Sequence, residues 1–122
     1  MRPTITEIAD AFSRHRFEET YPYMLDDIDW ALVGENQITG KDNVVRVCEE
    51  SANELTNVRT TFSKFRVITG EDCVVIDSRA EYIDSDNAIS NVASCDIYDF
   101  ISGNLAGITS YVFELEPNRT PG

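Results

Sequence analysis

The chain has 122 residues, 42% of them hydrophobic and 26% charged, which suits one domain and leaves no room for a second core. Ten Lys and Arg face 22 Asp and Glu, a formal charge of −12 that argues against nucleic acid or an anionic membrane surface as a partner. No apolar run approaches the ~20 residues of a membrane span, and the N-terminus turns polar too soon for a secretory signal. The expectation is one soluble, cytoplasmic domain over residues 1–122.

Thr4-Ile5-Thr6-Glu7 has capping-box spacing and predicts a helix start. Ile5, Ile8, Ala9 and Phe12 then form one apolar stripe that ends at Arg14-His15-Arg16. A short second helix is expected over Phe17 to Leu25, with Pro22 inside it, followed by a strand from Ile28 to Val33. A polar loop should reach Gly40. A third helix should begin at Asp42, with Val44, Val47, Cys48 and Leu55 inward and Glu49, Glu50 and Glu54 outward. From Val58 the period changes to two. Runs at Val58–Ile68, Cys73–Ile83, Ala88–Ile101 and Leu105–Leu115 are separated by short turns, which join antiparallel neighbours. Helices followed by a continuous antiparallel sheet read as α+β. The core is expected over residues 4–115, with 116–122 as a loose C-terminal tail.

Alternation assigns the faces. Val74, Ile76, Ser78, Ala80 and Tyr82 point toward the helices, and the small Ser78 and Ala80 leave space there. In the last run Ile108, Ser110 and Val112 share one face, while Thr109, Tyr111 and Phe113 share the other. Bulky apolar groups on both faces predict a second cover, either another subunit at Tyr111 and Phe113 or the folded-back tail. The subunit reading makes the protein a homodimer. Cys48, Cys73 and Cys95 lie in apolar contexts without C-x-x-C spacing and read as reduced structural thiols.

Three blocks, Tyr23-Met24-Leu25-Asp26-Asp27-Ile28-Asp29-Trp30, Thr39-Gly40-Lys41-Asp42-Asn43-Val44 and Cys95-Asp96-Ile97-Tyr98-Asp99-Phe100, precede a Ser102-Gly103-Asn104-Leu105 turn. This order resembles the nuclear-transport-factor-2-like superfamily, in its SnoaL-like and ketosteroid-isomerase-like branches. The resemblance implies a cone-shaped, curved antiparallel sheet wrapped around about three N-terminal helices, with an internal pocket and dimerisation through the outer face. It does not imply a reaction, because this scaffold hosts isomerases, dehydratases, epoxide hydrolases, cyclases and binders. Ketosteroid isomerases pair an Asp base with a Tyr and a protonated Asp. By motif the base falls on Leu32 and the tyrosine on Ile8, so that mechanism is not available. The protonated-acid position is kept at Asp96.

Asp96 shares a strand face with Ser94, Tyr98 and Phe100. A carboxyl in apolar surroundings holds its proton to higher pH and suits acid/base work. The competing readings are a bulge that turns Asp96 to solvent, or a structural bond to a backbone amide. Trp30, Tyr82, Tyr98 and Phe100 form a wall for a flat apolar ligand or simply fill the core, and Ser78, Ile108 and Val112 complete the expected pocket. His15 at a helix end reads as solvated or capping. Asp26, Asp27 and Asp29 lack a glycine-containing calcium loop and read as a turn, so no metal and no cofactor are expected. Two functions stay open: binding of a small, largely apolar organic molecule with isomerase-, cyclase- or dehydratase-type proton transfer, or a non-catalytic ligand-binding or dimerisation module.

Overall fold

The structure, a computed structural model, describes residues 2–115; the expected tail lies outside the described residues. Helix α1 (Ile5–Ser13) begins with the expected capping box, the Thr4 hydroxyl accepting the Glu7 N–H while the Glu7 carboxylate accepts that of Thr4. It buries Ile8, Ala9, Ala11 and Phe12. The segment Phe17–Tyr23 is a 3₁₀ helix rather than an α-helix. It stops short of the expected Leu25, because Met24 and Leu25 already belong to strand β1 (Met24–Leu32). The polar segment before Gly40 is a second strand, β2 (Asn36–Thr39), which pairs antiparallel with β1. Asp29 secures that pairing by accepting from Gln37 Nε2 at 2.6 Å and Thr39 Oγ1 at 3.0 Å, which accounts for the third residue of the acidic cluster. Helix α2 (Lys41–Glu54) follows and buries Val44 and Cys48.

Strands β3 (Arg59–Thr69), β4 (Cys73–Ile83), β5 (Ile89–Ile101) and β6 (Asn104–Leu115) form the expected antiparallel meander. The β5–β6 turn places Ser102 and Gly103 both at positive φ, 51° and 81°, the conformation that matches the twist of a two-residue hairpin. The whole sheet runs β2-β1-β6-β5-β4-β3, curved and unclosed. One pair departs from the antiparallel expectation: β1 lies parallel to β6, a non-local pairing made possible by the intervening chain. The helices cover the concave face, where Ile8, Ile28, Val74, Ile76, Tyr98, Leu105 and Ile108 are almost wholly buried. Burying each such large apolar side chain is worth about 1.5–3 kcal/mol before chain entropy is counted. Among the described residues no helix is long and apolar enough to cross a membrane.

Candidate active site

The concave face is hollow at one level because three neighbouring strands carry serine there. Ser78 on β4 faces Ser94 on β5, their hydroxyls 3.0 Å apart, and Ser110 on β6 faces Asp96. The result is a cavity of about 270 Å³ between the sheet, α1 and the end of α2. That is just below the range of about 300–1,000 Å³ usual for pockets that take drug-sized ligands, so the ligand must be small. Its floor is Tyr98, whose hydroxyl is 2.5 Å from that of Ser13. Phe12 stands edge-on to three rings, those of Phe17, Trp30 and Tyr98, at centroid separations of 5.0, 5.2 and 5.8 Å.

Trp30, Ser78, Tyr82, Asp96, Tyr98 and Val112 all line this cavity. Phe100 and Ile108 do not. They share the correct face, but Phe100 lies beyond Tyr98 toward the β5–β6 turn and Ile108 directly opposite Tyr98, both buried in the solid core at 4% and 2% exposure. Asp96 is not turned outward. The only irregularity in the β5–β6 register falls between Asp99 and Phe100, after Asp96 has been placed. Glu54, expected on the outer face of α2, instead stands at the rim of the cavity beside Leu55. Leu32, at the position of the ketosteroid isomerase base, lines the cavity with an alkyl group, and Ile8 is core.

The polar order around Asp96 is directional. Trp30 Nε1 donates to Ser110 Oγ at 3.0 Å, leaving the Ser110 proton free for its cross-strand partner Asp96. Burial raises the Asp96 carboxyl from 3.8 to about 6, and hydrogen bonding from Ser110 offsets only part of that shift. Burial also raises both nearby phenols, Tyr82 and Tyr98, and the Asp96 charge pushes each further in the same direction. At neutral pH the site therefore holds a carboxyl that is mostly ionised yet easily protonated.

His15 belongs to this site, contrary to its expected solvated role. Helix α1 ends in a Schellman motif, with Arg16 N–H bonded to Ala11 C=O at 2.8 Å and His15 N–H to Phe12 C=O at 3.0 Å. The position after the helix cap must be left-handed, and His15 occupies it at φ 65° where glycine is usual. That turn sends the imidazole into the cavity between Phe17, Phe62 and Tyr82, with Nε2 3.4 Å from the Tyr82 hydroxyl. Burial lowers its pKa, so the ring is neutral at pH 7. Tyr21 packs away from the cavity near Cys48 and Glu49; burial and those neighbours push its hydroxyl up to about 12. Asp26 and Asp27 are exposed on β1.

An NTF2-like protein of unknown function from Cytophaga hutchinsonii superposes with a TM-score of 0.78 at 31% identity, over 88% of this chain and 94% of that one. This chain belongs to the NTF2-like family. Two further solved structures, both at low identity, share the fold. One is a protein provisionally named a SnoaL-like polyketide cyclase, from Mesorhizobium loti (TM-score 0.64, 10% identity, 88% of this chain and 94% of that one). The other is an LEH-like epoxide hydrolase from M. tuberculosis (TM-score 0.67, 16% identity, 89% and 82%). No family model matches the sequence, and no curated protein does. The family thus fixes the scaffold, and the chemistry has to be argued from the cavity.

Proposed function

We propose that this NTF2-like protein binds a small, largely apolar organic molecule in the cavity and moves a proton on it through Asp96, without a cofactor. The observation that carries the reading is a buried carboxyl, Asp96, raised to about 6 in a cavity walled mainly by rings and alkyl groups. A general base of that pKa is mostly ionised at neutral pH yet lies close enough to it to take up a proton, which suits abstraction of a proton next to a carbonyl. The neutral His15 and the Tyr82 hydroxyl line the same cavity as hydrogen-bond partners for the oxygen that gains charge. Isomerase, cyclase and dehydratase chemistries all share that first step.

The test is solvent-deuterium exchange at the α-carbon of small cyclic ketones, followed by NMR. The wild type should accelerate exchange with a pH midpoint near 6, and Asp96→Asn should lose about 10²–10⁴-fold. Ketones that displace the Trp30 indole resonance yet exchange at the buffer rate would instead establish the second reading, a non-catalytic binding module. One observation favours that alternative: the positions of the ketosteroid isomerase base and tyrosine hold Leu32 and Ile8. Both readings include self-association through the outer sheet face, where Tyr111 and Phe113 are 40% and 66% exposed.

A further inference from the structure

The charge distribution of the cavity narrows its ligand beyond "small and apolar". Six aromatic rings line it: Phe12, Phe17, Trp30, Phe62, Tyr82 and Tyr98. The titratable groups that line it besides the two phenols are Asp96 and His15 inside and the exposed Glu54 at the rim. His15 is held neutral by burial, and among the described residues no Lys or Arg lines the cavity. The ion pairs among the described residues, Asp10 with Arg14 and Arg16, Glu19 with Arg16, and Asp77 with Lys64, involve neither Asp96 nor Glu54.

The mouth repeats the pattern. Tyr82, Val92, Leu55 and Glu54 continue into an adjoining depression that adds Asp84 and Glu114 and, among the described residues, again no cation. Glu54 itself lies in the last turn of α2, where the helix presents its unpaired carbonyls and carries no basic residue to balance them. A carboxylate there is disfavoured by the dipole, so nothing in the helix explains it. Together these groups form a negative funnel leading to a carboxylate among aromatic rings. Ring faces and carboxylates both attract a cation that is weakly hydrated, such as a substituted ammonium.

We infer that the cavity selects a small organic ammonium ion, its charged nitrogen seated between Asp96 and the aromatic rings and its apolar substituents filling the remaining space. The inference rests on the reading that the cavity binds a small organic molecule, and holds whether or not Asp96 does chemistry on it. The probes are benzyltrimethylammonium, its neutral carbon isostere neopentylbenzene, and the anion 3-phenylpropanoate. The single tryptophan, Trp30, lines the cavity, so its indole N–H resonance reports occupancy directly.

At pH 7.5 the ammonium should bind at least tenfold more tightly than the isostere, and the anion more weakly than either. Linkage adds a second sign. A cation beside a carboxylate must lower the Asp96 midpoint below about 6, whereas a neutral ligand that displaces water must raise it. Asp96→Asn should erase the preference while leaving the isostere's affinity within about twofold. Glu54→Gln, an exposed change that leaves the fold alone, should weaken only the ammonium by about two- to fivefold. Equal affinities, or a tighter isostere, would overturn the inference and leave the proposed function standing. If none of the three moves Trp30, both fail.

Discussion

Replacing Asp96 by Asn removes a carboxyl ionisation that burial in the cavity opposes, and the structure sets the sign and size of the effect. The carboxyl titrates near 3.8 when free and at about 6 in the folded protein, a difference of roughly two units, and each unit corresponds to about 1.4 kcal/mol. Below pH 4 both states hold the proton and Asp96 costs nothing. Between pH 4 and 6 the unfolded chain has released it while the native state retains it, so stability falls as pH rises. Above pH 6 the full penalty applies, at most about 3 kcal/mol, and nearer 1 where water in the cavity reaches the carboxylate. Asn is neutral throughout and keeps the shape. The variant should therefore match the wild type at pH 4 and exceed its stability by about 1–3 kcal/mol at pH 7.5. The neighbouring groups His15, Tyr82 and Tyr98 are common to both proteins and are neutral at pH 7.5, so they cancel in the difference. Urea unfolding followed by Trp30 fluorescence at several pH values measures it. A stability difference that is the same at pH 4 and pH 7.5 would refute the reasoning, because it would mean that Asp96 ionises as easily folded as unfolded.

Ser110→Ala should leave the Trp30 indole N–H without its acceptor and deprive the Asp96 carboxylate of a donor. It should cost about 1–3 kcal/mol and move the Asp96 midpoint above 6, seen by carboxyl NMR titration. The wild type should sediment as a dimer, and Tyr111→Asp should weaken it by placing a charge in the apolar patch; a wild type that remains at the 13.7 kDa monomer mass when concentrated would remove the interface. Thiol titration in denaturant should find three free cysteines. In the native protein Cys48 should be the slowest to react, since it is buried and its thiol is pushed up to about 12.

What was legible in the sequence follows the physics of local periodicity. Cys73–Ile83 alternates so cleanly that its predicted and observed limits agree. Strand β2 escaped because Asn36-Gln37-Ile38-Thr39 offers a single buried residue, Ile38, and no pattern can be read from one position. The parallel β1–β6 pair escaped because it joins segments from opposite ends of the chain. Within the site, parity placed Asp96, Ser78 and Tyr98 on the concave face. Parity gives the face but not the depth, so Phe100 and Ile108 carried the same signature as cavity residues while belonging to the solid core. His15 left no periodic trace at all. Its direction depends on a backbone turn at φ 65°, set by the Schellman bonds of α1 rather than by its neighbours in sequence.

A cavity lined by apolar groups survives only if the surrounding side chains cannot collapse into it, since interiors pack to high density wherever they are free to do so. Three serines supply the missing volume, and the adjacent rings are held by directional bonds: Tyr98 through Ser13, and Trp30 through Ser110. A residue that fills space by dispersion alone could rotate inward. A tyrosine or indole tied at its polar end would have to break a hydrogen bond to follow, at a cost of about 1–3 kcal/mol when the orphaned group is buried. The same Ser110 hydroxyl that fixes Trp30 bonds Asp96, so the residue that keeps the space open also holds the carboxyl buried within it. On β6 the next side chain, Tyr111, points to the opposite face and is available for a partner. Alternation along one strand thus gives the cavity and the outer surface separate residues, and either can change without the other.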